Sequence, residues 1–240
     1  MKQKNRLLNY DLTIFQDDDY FKFSLDSLLL SNFVTLNYRT KNIVDLATGN
    51  APIPMLLSKK TKAKIYGIEI QNCIYELGVE SVKYNELDDR IKLILGDVRK
   101  IGKYFSSDSF DVVLCNPPYF SYNGDKSIIN DNDVKSIARH EISLNINDVL
   151  KSAMYLLKNG GNFAMVHRSE RFIEIISLMR KMGLEPKKVQ FIYSKKGKNS
   201  DLFLIEGTKN GKTGLKVLPG LVVYDDNNNY NLSIKKMFGE

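Results

Sequence analysis

Short apolar segments rich in β-branched residues recur along the chain and alternate with stretches of helical spacing. Segments of this kind are typical of strands that are buried on both faces of a sheet. There are seven of them, at residues 42–47, 64–68, 91–95, 110–115, 162–167, 188–193 and 202–205. Because helices between consecutive strands imply right-handed crossovers, the pattern predicts an α/β fold with a doubly wound, mostly parallel seven-stranded sheet.

Two of the intervening stretches carry the residues that begin and end helices. Residues 147–159 start with Asn147 and are followed by Gly160, and residues 169–182 are followed by Gly183. Asparagine is a preferred N-cap, and glycine is preferred just after the last turn. We therefore predict a helix over each stretch.

Length and composition fit one sizeable domain. The chain has 240 residues, of which 43% are hydrophobic and 26% charged, and this excludes a mainly disordered protein. No apolar run reaches the roughly 20 residues of a membrane helix, and no apolar signal-peptide core follows the basic start. We expect a lead over residues 1–40, a core over 41–207 and a tail over 208–240 that packs on the core.

The chain has two cysteines, Cys73 and Cys115, and both fall in segments predicted to be buried. Two thiols cannot form a disulfide framework or a cysteine-rich zinc site. We therefore predict no metal centre and a reducing, cytoplasmic location.

The net charge of +7 is unevenly distributed. Between Lys181 and Lys216 nine lysines face three acidic residues, and Phe191, Tyr193 and Phe203 lie among them. Such a segment can contact a phosphate backbone. A solvated lysine surface explains the same composition, and both interpretations stay open.

The first predicted strand runs into the loop Asp45 to Ala51, which contains only Gly49 as a glycine. Dinucleotide-binding loops use three glycines so that a pyrophosphate can approach a helix start. Here Asp45 would repel a pyrophosphate and suits a cationic, amine-bearing ligand. A nicotinamide cofactor is disfavoured, and an ordinary tight turn is the alternative.

Acidic residues also follow the second and third strands. Glu69 stands where a carboxylate can accept hydrogen bonds from both ribose hydroxyls, although an acid at a helix start would look the same. Gly96-Asp97 closes the third strand, and Asp97 can accept from an adenine amino group or belong to a simple turn.

The fourth strand ends in Asn116-Pro117-Pro118-Tyr119. Two prolines stop a strand abruptly and hold the loop extended. The side-chain oxygen of Asn116 and the carbonyl of Pro117 then form two acceptors in fixed geometry, which match a planar NH2 group. The ring of Tyr119 can stack on the base that carries this group.

On these motifs the chain resembles class I S-adenosylmethionine-dependent methyltransferases, which have a Rossmann-like fold, and among them the amino-methylating group with N-P-P-Y. More narrowly, it is similar to the bacterial tRNA adenine-N6-methyltransferases that modify adenine 37 beside the anticodon of tRNA-Val. The match runs from about Phe21 to the C-terminus and also includes Phe23 to Ser27, Arg139-His140-Glu141 and Val166-His167-Arg168.

The resemblance implies S-adenosylmethionine as cofactor and the anticodon loop of a tRNA as partner. The residues that it assigns to the cofactor are Ser24, Asp26, Asp45, Ala47, Gly49, Glu69, Ile70, Asp97, Val98 and Asn116. Those assigned to catalysis are Asn116, Pro117, Pro118 and Tyr119, and those assigned to the substrate are Tyr119, Arg139, His140, Arg168, Lys195 and Lys196. The N-terminal lead would cover the methionine end of the cofactor.

One departure concerns the cofactor loop, which in these relatives resembles D-x-G-x-G-x-G. Ala47 and Ala51 replace the outer glycines. Alanine fits if both positions have negative φ, and on that basis we expect cofactor binding to survive.

Three other functions remain as alternatives. Release-factor glutamine methyltransferases share N-P-P-Y but carry a helical N-terminal domain, whereas only about 40 residues precede Asp45 here. DNA adenine methyltransferases insert a recognition domain for which no gap between strands is long enough. A non-catalytic nucleotide- or RNA-binding module on the same fold would agree with the two alanines.

Overall fold

The computed structural model describes residues 2–7, 11–17, 24–117 and 144–239. The strands are β1 (Lys2–Leu7), β2 (Leu12–Asp17), β3 (Asn42–Leu46), β4 (Lys64–Glu69), β5 (Ile91–Leu95), β6 (Phe110–Cys115), β7 (Leu157–Arg168), β8 (Leu184–Tyr193), β9 (Ser200–Lys209), β10 (Lys216–Val217) and β11 (Leu221–Val222). The α-helices are α1 (Leu25–Phe33), α2 (Pro52–Ser58), α3 (Asn72–Tyr84), α4 (Ile146–Leu156), α5 (Phe172–Lys181) and α6 (Leu232–Phe238). Two 3-10 segments span Val98–Lys103 and Ser169–Arg171.

The central sheet has the strand order β10-β8-β9-β7-β6-β3-β4-β5, and β11 also pairs with β8. Neighbouring strands from β7 through β6, β3 and β4 to β5 are parallel, whereas β9 runs antiparallel to both β7 and β8. All seven predicted strands are present, and the mostly parallel α/β fold is confirmed. The short strands β10 and β11 extend the sheet to nine.

Alternate side chains of the central strands supply two separate cores. In β6, Val112 and Leu114 pack with α1 and α2 on one face, whereas Val113 and Cys115 pack with α4 and α5 on the other. All four are at most 2% exposed. Burial on both faces explains why these strands are continuously apolar in sequence.

The helix predicted over residues 147–159 ends earlier, at Leu156. Gly160 has a φ of 79° but lies inside β7, where the register against β6 shifts. A left-handed glycine serves a β-bulge as well as a helix end, and the sequence does not distinguish the two. The second predicted helix, over residues 169–182, is a 3-10 turn followed by α5.

The hairpin of β1 and β2 was not predicted from the sequence, and it packs on α3. The amide of Phe15 donates to the Ser81 hydroxyl at 2.9 Å. The Asn85 side chain accepts from the Thr13 amide and donates to the Thr13 carbonyl. These contacts join residues far apart in the chain, and local pattern does not reveal them.

Helix α1 is tied to the sheet at its C-terminal end. The Nζ of Lys188 donates to the carbonyl of Phe33 at 2.6 Å, and the buried carboxylate of Glu206 accepts from the amide of Thr35 at 2.6 Å. Lys188 lies directly opposite Glu206 in the β8–β9 pair. The lysine caps a helix end, where a cation interacts favourably with the helix dipole.

One of the two predictions about the cysteines is wrong. Cys115 is buried at the end of β6, but Cys73, in the first turn of α3, is exposed. Within the described ranges no helix is long and apolar enough to cross a membrane, and no cluster of three potential metal ligands occurs.

Candidate active site

The carboxyl ends of the parallel strands bring the predicted site residues to one edge of the sheet. Leu46 in β3 pairs with Ile68 in β4 and with Cys115 in β6. The residues that follow these partners, Glu69 and Asn116, therefore flank the loop that leaves β3. This is the position at which doubly wound sheets bind ligands.

Asp45 supplies a buried carboxylate with an unused acceptor. It is 1% exposed, and its Oδ2 accepts from the Thr48 hydroxyl at 2.7 Å. Its Oδ1 has no donor anywhere in the part of the chain that the structure describes. Burial raises the pKa of Asp45 to about 7, and the nearby charge of Glu69 adds to the rise, while the Thr48 bond opposes it. A cationic amine would satisfy both the orphaned oxygen and the charge.

Glu69 bonds the backbone of two connections, the loop after β3 and the segment that leads into α3. Its carboxylate accepts from the amides of Gly49 at 2.9 Å, Ile70 at 3.0 Å and Gln71 at 2.9 Å. Helix α3 begins at Asn72, directly after two of these amides. The alternative interpretation of Glu69, an acid at a helix start, therefore also applies. The carboxylate thus lies between the loop after β3 and the start of α3.

The predicted negative φ at Ala47 and Ala51 is wrong. Their φ values are 54° and 69°, and Gly49 between them has a φ of 60°. Five residues, 47 to 51, connect β3 to α2, and the first, third and fifth of them have the left-handed conformation. For alanine this conformation costs about 1–2 kcal/mol per residue. At Gly49 an added Cβ would meet nothing within 4 Å, so the loop leaves open space there.

Asp97 is engaged by Arg99. Its Oδ1 accepts from the Arg99 amide, and the guanidinium binds the carboxylate with Nε at 3.0 Å and Nη2 at 2.9 Å. These bonds lower the pKa of Asp97 despite its partial burial. Asp97 is the N-cap of the segment Val98–Lys103, so the simple-turn interpretation also holds for this residue.

Asn116 lies immediately after β6 and contacts α1. Its Nδ2 donates to the hydroxyl of Ser27 at 3.3 Å. Ser24 is the N-cap residue of α1, and its buried Oγ has no partner within the described ranges; Asp26 lies in the first turn. The N-terminal lead therefore reaches the same edge as the cofactor loop. Pro117 is described, whereas the predicted residues Pro118, Tyr119, Arg139 and His140 lie outside the described residues.

Residues 38–205 match the family model for a methyltransferase domain. The chain belongs to this methyltransferase family. The tRNA1(Val) (adenine(37)-N6)-methyltransferase of Histophilus somni is 26% identical over 242 residues, covering 99% of this chain and 97% of that protein. The protein of the same name from Bacteroides fragilis is 25% identical over 188 residues, covering 77% and 76% of the two chains.

Among solved structures, a predicted O-methyltransferase from Agrobacterium tumefaciens superposes on this methyltransferase with a TM-score of 0.70. The two are 18% identical, and the superposition covers 89% of this chain and 95% of that one. At this identity the likeness concerns the fold alone.

At the end of β7, His167 and Arg168 differ in accessibility. Arg168 is exposed at the site edge. His167 is 4% exposed, and its Nδ1 accepts from the Arg168 amide at 2.8 Å. Burial, together with the positive charge of Arg171, lowers the pKa of His167 to about 4, so its imidazole is neutral at pH 7.

The lysine-rich segment of this methyltransferase is not one surface. Lys195 and Lys196 lie in the turn between β8 and β9, which is at the same edge as the end of β7. Lys181 and Lys209 lie at the opposite edge. Phe203, which was expected to accompany the lysines, is fully buried.

Sequence reasoning missed three site contacts. These are the bond from Thr48 to Asp45, the pairing of Arg99 with Asp97, and the bond from Asn116 to Ser27. The first two join residues two or three positions apart, where a short polar side chain commonly bonds its own loop, and this spacing was available in the sequence. The third spans 89 positions and has no local signature.

Replacement of Asp45 by asparagine should stabilise the free protein at neutral and alkaline pH. The folded pKa of Asp45 is raised above 3.8, so wild-type stability falls as pH rises from about 4 to about 7. Asp45→Asn cannot ionise, and at pH 8 it should unfold with a free energy higher by on the order of 2–4 kcal/mol. Urea unfolding between pH 5 and pH 8 measures this difference.

Asp111→Asn is the matched control. Although partial burial opposes it, bonds from Lys158 and from two backbone amides lower the pKa of Asp111. Its stabilising effect is present above its unfolded pKa, so this variant should lose stability at pH 8. Destabilisation of Asp45→Asn at pH 8 would contradict the assignment of a buried, ionised carboxylate with one oxygen unpaired among the described residues.

Ala51→Gly should change the free energy of unfolding by less than about 0.5 kcal/mol, because relief of the left-handed strain offsets the greater freedom of glycine in the unfolded chain. Ala153 is equally buried but lies inside α4. Ala153→Gly should therefore cost about 1 kcal/mol or more. Equal losses in the two variants, measured by urea unfolding, would argue against strain at residue 51.

Proposed function

We propose that this methyltransferase transfers a methyl group from S-adenosylmethionine to the N6 amino group of an adenine in tRNA, namely adenine 37 beside the anticodon of tRNA-Val. The observation that carries the proposal is the position of Asn116, which follows β6 directly beside the loop of Asp45 and Gly49. The names of the Histophilus somni and Bacteroides fragilis relatives support the substrate.

The described residues fit S-adenosylmethionine. The orphaned Oδ1 of Asp45 suits the α-amino group of the methionine part, and the open space beside Gly49 admits the ligand. Glu69, at the end of β4, would accept from the ribose hydroxyls. Asp97 can accept from the adenine amino group only by sharing its oxygens with Arg99. The cofactor supplies an electrophilic methyl group on a sulfonium.

The nitrogen that receives the methyl group presents a chemical difficulty, because its lone pair is delocalised into the adenine ring. Hydrogen bonds from both N–H groups to the Asn116 side-chain oxygen and the Pro117 carbonyl draw the nitrogen toward tetrahedral geometry and free the lone pair. Positioning and electrostatics then supply the acceleration, and no nucleophilic side chain is needed.

No general base is obligatory, because the amine becomes acidic after methyl transfer and then releases its proton. The buried, neutral His167, with Nδ1 occupied by a backbone amide, agrees with this scheme. A target base must also leave its stack, and this is least costly in a loop such as the anticodon loop. A tRNA substrate also favours a cytoplasmic location.

Contacts with tRNA phosphates would come from the site edge of the sheet. Arg168 at the end of β7 is exposed, and Lys195 and Lys196 lie in the adjoining β8–β9 turn. Together these three cations form the edge cluster. Lys181 and Lys209 lie at the opposite edge and are not part of this cluster.

A non-catalytic nucleotide-binding module remains a second candidate, because the left-handed Ala47 and Ala51 strain the cofactor loop. Calorimetry with S-adenosylmethionine, followed by mass spectrometry of nucleosides from treated tRNA, separates the two candidates. Binding without N6-methyladenosine would favour the module. Methylation of a release-factor peptide instead of tRNA would overturn the substrate class.

Asn116→Ala should reduce methyl transfer to tRNA by about 10²–10³-fold, because it removes one of the two acceptors that orient the amine. The affinity for S-adenosylmethionine should stay largely intact. Asn159→Ala replaces an exposed asparagine whose partner is Asn210, at the other edge of the sheet, and serves as the control. Turnover of Asn116→Ala close to that of the control would exclude the mechanism.

Charge reversal of the edge cluster should weaken tRNA binding. In the double variant Lys195→Glu and Lys196→Glu, the slope of log affinity against log salt concentration should become less steep. The change should be about one for each phosphate that the protein no longer neutralises. Glutamate at Lys181 and Lys212, which are exposed at the opposite edge, makes the same change in net charge and should affect binding much less. Equal effects in both double variants would refute a localised docking surface but would leave the proposed substrate class unaffected.

A further inference from the structure

Ser27 links α1 to the residue that would orient the methyl acceptor. Its side chain is 4% exposed, and its Oγ accepts from Nδ2 of Asn116 at 3.3 Å. The two residues lie 89 positions apart, in different elements. The contact therefore comes from tertiary packing, and it joins the N-terminal lead to the end of β6.

The direction of this hydrogen bond matters because an asparagine side chain has two different ends. Its oxygen only accepts and its nitrogen only donates. A target amine must donate to the oxygen, and a half-turn about χ2 would present it with N–H donors instead. In the structure the Ser27 hydroxyl accepts from Nδ2, and in this orientation Oδ1 is directed away from α1.

The helix that carries Ser27 is firmly placed. At its C-terminal end the carbonyl of Phe33 accepts from Lys188 at 2.6 Å, and the carbonyl of Ser31 accepts from Lys60 at 3.0 Å. Leu28, next to Ser27, is fully buried against the sheet. Hydrogen bonds and core packing both hold α1, and they therefore fix the position of the Ser27 hydroxyl next to the Asn116 amide.

We propose that Ser27 is a positioning residue for methyl transfer, which holds the Asn116 side chain with its oxygen toward the acceptor amine. The inference rests on the proposed function, since it assigns Ser27 to the acceptor side of the same site. The lead thereby contributes to the orientation of the substrate in addition to its place beside the cofactor loop.

Ser27→Ala tests this role, with Ser31→Ala as the matched control. Ser31 lies one turn later on α1, is 1% exposed, and bonds the carbonyl of Leu28 through its Oγ. Ser27→Ala should lower kcat for tRNA methylation on the order of 10- to 100-fold, while calorimetry finds the affinity for S-adenosylmethionine unchanged. Ser31→Ala should keep kcat even if both variants lose similar thermal stability. A loss of kcat as large in Ser31→Ala would overturn the proposal.

A second measurement does not depend on activity. In protein labelled with 15N-asparagine, the side-chain amide of Asn116 is identified by its absence from the spectrum of Asn116→Asp. Its relaxation should show larger-amplitude motion in Ser27→Ala but not in Ser31→Ala, and an equally ordered amide in Ser27→Ala would refute the role of Ser27. Ser27→Cys, which fills similar space with a weak acceptor, replaces Ser27→Ala if the latter does not fold. If the wild-type protein methylates no tRNA, the proposed function fails, and the relaxation measurement still decides whether Ser27 orders the Asn116 side chain.

Discussion

The Glu69 carboxylate joins the two connections on which the site is built. It accepts from the amide of Gly49 in the loop between β3 and α2 and from the amides of Ile70 and Gln71 that lead into α3. Its charge also contributes to the raised pKa of Asp45. The same side chain thus bonds the loop backbone and adds to the raised pKa of the acid in that loop, although burial is the main cause of the rise.

Several unfavourable features lie next to this carboxylate. Ala47 and Ala51 have positive φ, and Asp45 is a buried acid with one oxygen unpaired in the described structure. Strain and incomplete pairing of this kind persist where the surrounding structure enforces them, and they typically mark functional sites. Glu206, another buried acid, lies near the end of α1, where it accepts from the Thr35 amide and faces Lys188.

The sequence allowed the sheet to be predicted because its strands are buried on both faces and are therefore continuously apolar. It also allowed Asp45, Glu69 and Asn116 to be predicted at one edge of the sheet, since residues at the carboxyl ends of parallel strands meet there. The predicted negative φ of Ala51 was wrong because this angle depends on the path of the chain from β3 to α2 rather than on residue type. The lysine-rich segment could not be predicted as two separate surfaces for a related reason. Composition gives the number of charges but not their positions, and the antiparallel pairing of β8 and β9 puts these lysines at opposite edges of the sheet.

The unequal burial of the two thiols has a practical consequence. Cys115 is enclosed at the end of β6, and Cys73 is exposed in the first turn of α3, shortly after Glu69 at the end of β4. The wild-type chain therefore offers a single native attachment point for a maleimide fluorophore. A dye at Cys73 would sit four residues after Glu69, the proposed acceptor for the cofactor ribose, and would provide an optical probe for ligand binding without an engineered cysteine.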